Sequence, residues 1–346
     1  MNINTIKQLT AKKNIALNIE CGITLTIKDE VFRPGTVRVH LPAPINAAWL
    51  KEGQLCDSDP MFRMASVEDY PQRSVYYNER TDVNIPFSVK YAFTSEHKLI
   101  TPDISLIDST QQKEFDKEAI ERFSSSHHCG CESYTALPVQ TVGITDLIPD
   151  KGIRFLPEYR EFLSAIPSGK NGSRSHSIYR FITENFDRLN RYDHNIAFVS
   201  MCRMCGIPAR WQGGWAVPEI KENEPTGSGP ASFRGDRHDW CMVYLLPYGW
   251  IYVDCVFGAE AFAKNPEING IRLHDYFFGN LDPFMVPTAS VPEADLYPAK
   301  DYRRYDSVYN AYGEVELIPG KTGFDGHFEG YGLKSDEYIS QIYIAG

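Results

Sequence analysis

Apolar and polar positions alternate with a period of two from Ile15 to about Leu99, most clearly in "IALNIECGITLTI", "TVRVHLPAP" and "VNIPFSVKYAF". That repeat belongs to strands that bury one face, and the Pro and Gly residues between the runs break them apart. The pattern predicts an N-terminal, antiparallel, sandwich-like β domain with one solvated face. The polar, charged piece that follows, "DSTQQKEFDKEAIERFSSSHH", shows no such alternation and reads as a helix or loop crossing to a second unit.

The period then changes. "LPEYREFLSAI" and "SHSIYRFITENFDRL" space their apolar residues as helices do, with Ser175 placed to cap the second. Asn195 to Cys205 is a mostly apolar helix, stopped by Gly206 and Pro208. "RWQGGWAV", "WCMVYLL" and "GWIYVDCVF" are strand-like runs rich in aromatic and β-branched residues, the last two joined by the tight turn "PYGW". A Pro/Gly/Ser-rich charged loop, "PEIKENEPTGSGPASFRGDR", separates the first two runs, and an irregular, Tyr-rich tail begins near Val291. The expected fold class is α+β. A β-rich domain with its crossing segment spans 1–150, a core of helices packed on an antiparallel sheet spans 151–290, and a tail packed on that core spans 291–346.

Composition narrows the function classes. The chain has 346 residues, 42% hydrophobic and 23% charged, which suffices for a sizeable core. A formal net charge of -10 and an isoelectric point near 5.4 give no general attraction to nucleic acid or an anionic membrane, so neither is an expected partner. The N-terminal stretch lacks an apolar targeting core, and no run of about 18 apolar residues occurs, so a cytoplasmic protein is expected. Eight cysteines fall into no zinc-ribbon pairing, and reduced thiols, no cofactor and no metal are expected.

A helix followed by strands, with His238 on the second strand and Asp254 on the third, is an arrangement that thiol acyl-transfer chemistry uses. An imidazole keeps the thiol as thiolate, and a carboxylate fixes the imidazole's tautomer. Hairpin pairing around "PYGW" does not set His238 directly opposite Asp254, so a bulge or an entry bend is expected to bring them together. Cys202 and Cys205 sit near the helix's C-terminal end, where the dipole raises a thiol pKa, and read as core residues. The cluster "SSSHHCGCESYTAL" holds Cys129 and Cys131 beside His127 and His128. It is open to three readings: a packing loop, a metal or redox site, or a turn presenting Cys131 as a substitute nucleophile. Trp211, Trp215, Trp240 and Trp250 either line a groove or fill the core. Arg210 and Asp239 are a candidate ion pair.

The segments "CRMCGIPARWQGGW", "HDWCMVYLLPYGWIYVDCVFG" and "FFGNLDPF" together resemble the bacterial transglutaminase-like superfamily, over roughly Pro167 to Pro287. The resemblance implies a papain-like fold and places His238 on the family's catalytic histidine and Asp254 on its catalytic aspartate. It also implies a cysteine in a G-x-C-x-x-x-A motif where the "GIPAR" helix begins. Counting back fifteen residues from Gly206 lands instead on Arg191, in "LNRYDHN", which holds neither glycine nor cysteine. Arg191, Trp211, Gln212 and Trp240 are expected to line the cleft. The expected function is a catalytically impaired relative that binds a peptide, a peptidoglycan-derived peptide or a protein. The alternative is an active cysteine-dependent amidase, peptidase or acyl transferase completed by Cys131, and a metal or redox protein built on "HHCGC" stands third.

Overall fold

The computed structural model describes residues 1–30, 32–45, 47, 49–59, 61, 63–65, 74–115, 142–149, 152–216, 236–293, 314–319 and 338–345. The cluster holding His127, His128, Cys129 and Cys131 lies outside them. Helix α1 (Ile3–Lys12) leads into strands β1 (Asn14–Ile27), β2 (Gly35–Pro42), β3 (Leu50–Asp59), β4 (Arg63–Ala65), β5 (Ser74–Thr81) and β6 (Phe87–Lys98). These form two sheets: β1 and β3 flank β6, and β2 and β4 flank β5. The alternation in the sequence sets their registers. Ile19, Cys21, Ile23 and Leu25 of β1 stand opposite Phe93, Tyr91, Val89 and Phe87 of β6. All eight are buried against Val37, Val39 and Leu41 of the second sheet. At about 1.5–3 kcal/mol for each large apolar side chain, this shared layer is what holds the sandwich closed.

The second half begins with α2 (Ile104–Ser109), then α3 (Pro157–Ala165), α4 (Asn171–Glu184) and α5 (His194–Met204). Strands β7 (Ala209–Ala216), β8 (Asp236–Leu245) and β9 (Gly249–Val253) follow, then α6 (Cys255–Lys264). The short β10 (Glu267–Ile268) and β11 (Ile271–Arg272), α7 (Leu273–Tyr276), β12 (Phe278–Gly279) and β13 (Met285–Ala289) complete it. A five-stranded antiparallel sheet in the order β12-β9-β8-β7-β13 carries α5 on one face. Ala197, Phe198, Met201 and Cys202 of that helix share a core with Ala209, Trp211, Cys241 and Val243. Gly206, at φ 74, turns the chain out of α5 in the left-handed conformation that favours glycine.

Two local expectations differ. Helix α4 starts at Asn171, so Ser175 lies inside it, and its hydroxyl donates back to the Asn171 carbonyl at 2.7 Å instead of capping. The run "GWIYVDCVF" is strand only as far as Val253, because Asp254 caps a new helix there. Two pieces of the tail are among the described residues, and both are strands. β14 (Glu314–Pro319) pairs with β2 and β15 (Tyr338–Ala345) pairs with β1, extending the two N-terminal sheets. Unpaired edges of β1 and β2 need backbone partners, and distant sequence supplies them. The halves are also joined through Trp215 and Val286, which enter the sandwich core, and through Trp49, which packs with Trp240 and Met285. Among the described residues no helix is long and apolar enough to cross a membrane.

Candidate active site

His238 lies near the start of β8, and Asp254 immediately follows the end of β9. The register pairs Cys241 with Val253, so, continued by one step, Asp254 faces Trp240 and sits diagonal to His238 on the same side of the sheet. A diagonal pair is within reach of two polar side chains without any bulge. His238 Nε2 and Asp254 Oδ2 are 2.7 Å apart, the imidazole side chain is 9% exposed and the carboxylate fully buried. The carboxylate's second oxygen, Oδ1, accepts the Phe257 N–H at 2.8 Å and so caps α6. One side chain therefore orients the ring and starts a helix. Phe257, in the first turn of α6, stacks on the ring at 4.3 Å between centroids.

With Nε2 held by the carboxylate, the neutral ring carries its proton on Nε2 and its basic lone pair on Nδ1, so that one nitrogen is oriented and the other can take up a proton. Burial pushes the pKa of His238 down, but the charge and hydrogen bond of Asp254 more than reverse this, with Asp239 and Asp282 adding, so the net direction is up. Asp282 is itself held by the Asn2 backbone N–H and side-chain amide, which ties the N-terminal segment to the same corner.

Strand alternation places Asp239 on the opposite face, toward α5. Its carboxylate accepts the Trp211 indole N–H at 2.7 Å. Burial and the nearby Asp193 charge push its pKa up to about 8, while His238 and the indole N–H oppose the rise. Asp239 does not pair with Arg210. That guanidinium instead grips the buried Asp146 with Nε and Nη2, at 2.7 and 3.1 Å, and covers the Trp250 ring at 4.4 Å. A bidentate carboxylate satisfies the guanidinium fork, which leaves the Asp239 oxygens to the indole.

Helix α5 begins at His194, one residue before the expected Asn195 and three residues after Arg191. Asp193 is its N-cap, extended at φ -71 and ψ 119, and accepts the Ile196 N–H at 3.0 Å. Arg191 lies outside the helix, exposed, with its guanidinium 4.8 Å above the ring of Tyr192. Asn195 fastens the helix start to the site. Its amide donates to the Asp239 carbonyl at 2.8 Å and accepts the Cys255 N–H at 3.0 Å, one residue from each member of the dyad. The start of α5 thus stands beside the dyad with an aspartate at its cap.

The expected cleft residues separate. Trp211 points to the α5 face, whereas Trp240 shares the His238 face and donates its indole N–H to Gln212 Oε1 at 2.9 Å. Trp215 and Trp240 are fully buried and Trp211 nearly so, which makes them core, and only Trp250 is half-exposed. Among the described cysteines, Cys202, Cys241 and Cys255 are buried and their thiol pKa values are pushed up, mainly by burial. Cys241 bonds to the Asn195 carbonyl at 3.2 Å on the α5 face. Asn195, Phe257 and Asp282 went unnoticed in the sequence. For the double role of Asp254 a signal was present, an aspartate directly before the helix-forming run "CVFGAEAFAK". Among the described residues no cluster of three or more His, Cys, Asp or Glu could hold a metal ion.

Residues 160–255 match the family model described as the transglutaminase-like superfamily. No curated protein matches the chain by sequence. In structure the chain is similar to that of a "putative cysteine protease" from Cytophaga hutchinsonii, at 14% identity and a TM-score of 0.46, over 96% of this chain and 100% of that one.

Proposed function

We propose, on the premise that residues 160–255 form a transglutaminase-like domain, that this chain keeps an imidazole–carboxylate dyad without a thiol at the helix start. Its cleft then binds a peptide or protein ligand and does not turn it over. The observation that carries this reading is the first turn of α5, Asp193-His194-Asn195-Ile196, capped by a carboxylate. A thiol at this helix start would owe its low pKa to the positive end of the helix dipole, but the counted position holds Arg191 and the cap is an aspartate. Loss of a nucleophile from such a constellation costs several orders of magnitude in rate. The buried thiols of Cys202, Cys241 and Cys255, with raised pKa values, are poor replacements.

One observation favours the other reading, an active cysteine amidase, peptidase or acyl transferase. The Nε2 contact to Asp254 and the raised His238 pKa keep the ring poised for a thiolate partner, which Cys131 would have to supply. An iodoacetamide-type probe at neutral pH, with mass spectrometric mapping of the labelled cysteines, separates the two. The binding reading expects no cysteine whose labelling depends on His238. Rapid labelling of one cysteine that slows at least about tenfold in His238→Ala would overturn it.

A further inference from the structure

A pocket of about 340 Å³ opens where α1, β6, β8, β9 and the segment 279–281 meet, on the sheet face that carries His238 but farther along β8. Neither His238 nor Asp254 lines it, and Trp49 of its lining packs on Trp240 with ring centroids 6.2 Å apart. Its size falls at the lower end of the range of about 300–1,000 Å³ for small-ligand sites.

Two aromatic corners shape it. Trp49 and Tyr252 meet at 88° with centroids 4.7 Å apart, and Tyr244 and Trp250 meet at 69° with centroids 5.4 Å apart. Tyr244, Trp250 and Tyr252 are half-exposed, so ring surface remains for a ligand. Glu96 and Lys98 also line the pocket, both exposed and two residues apart on β6, hence on one side of that strand.

From this lining we infer that the pocket is a saccharide-binding site for one or two pyranose rings. A pyranose offers an apolar C–H face to aromatic rings and a rim of hydroxyls that both donate and accept. Glu96 accepts, Lys98 donates, and tyrosine hydroxyls do either. A quaternary ammonium, the other common guest of aromatic corners, would meet Lys98 and the Arg210 guanidinium already seated on Trp250. A purely apolar ring would desolvate Glu96 and Lys98 with nothing in return.

The test is tryptophan fluorescence of the full chain titrated with maltose, cellobiose and N,N'-diacetylchitobiose to high millimolar concentration. Saturable quenching by at least one of them is expected, abolished in Tyr244→Ala and about tenfold weaker in Lys98→Ala, whose exposed side chain can be removed without disturbing the core. His238→Ala should leave the titration unchanged, so the outcome does not depend on whether the dyad is active. No saturation with any of the three sugars, or saturation unaltered in Lys98→Ala, overturns the inference. So does saturation by tetramethylammonium or phenylalaninamide where the sugars fail.

Discussion

Asp239→Asn should stabilise the protein at neutral and alkaline pH and change little in acid. In the folded chain burial and the Asp193 charge carry this carboxyl up to about 8, from an ordinary value of 3.8. Between those values the folded protein holds a proton that the unfolded chain has released. Stability therefore falls as pH rises from about 4 to 8 and is flat above. At pH 7 the interval is about three pH units, worth about 4 kcal/mol at ~1.4 kcal/mol each. Asp239 keeps partial contact with solvent, which screens this to roughly 2 kcal/mol. An asparagine retains an oxygen for the Trp211 N–H, now 2.7 Å from the carboxylate, and brings no charge. Urea unfolding of both proteins near pH 4 and near pH 8 reads the difference directly. A gain of the same size at both pH values, or a variant less stable than the parent near pH 8, would refute the reasoning.

Substitutions at two further positions probe the dyad and the sheet. Asp254→Ala removes the α6 cap and leaves a buried imidazole without its carboxylate, for a loss of about 3 kcal/mol in thermal or urea unfolding, whereas Asp254→Asn keeps the cap and should lose about 1 kcal/mol. Because the folded pKa of His238 is raised, its contribution is fully present below about pH 6.5 and is lost as pH climbs through the folded value, so the Asp254→Asn deficit should shrink on the alkaline side. Gly214→Ala would drive a methyl group into the Val286 carbonyl of β13, and hydrogen exchange should show faster opening at Val286 with about 2 kcal/mol of lost stability.

Much of the site was legible because its signals are local. His238 and Asp254 stand at fixed distances from a turn, and a hairpin converts such distances into positions across a ladder. What stayed hidden depends on contacts between distant segments. The Arg210 partner is Asp146, in a 3-10 turn between α2 and α3 that has no pattern to announce it. Asn195 looks like a lone polar residue in an apolar helix until β8 and α6 close around it. The start of α5 was legible to within one residue, at His194 against the expected Asn195, but its cap was not, because Asp193 shows its role only by taking the Ile196 N–H.

Periodicity, backbone preference and short-range spacing along the chain set the β-then-helix order, the burial face of β1 and β6 and the stop of α5 at Gly206, while the resemblance singled out His238 and Asp254, which the fold brings to 2.7 Å. The assembled fold alone made Asp254 serve a ring and a helix at once, and turned Trp211 and Trp240 to opposite faces. It also decided that the tail returns as β14 and β15 to the first two sheets. Strand pairing satisfies backbone groups with little regard to sequence distance, so the partner of an edge is chosen by the assembled fold and not by its neighbours in the chain.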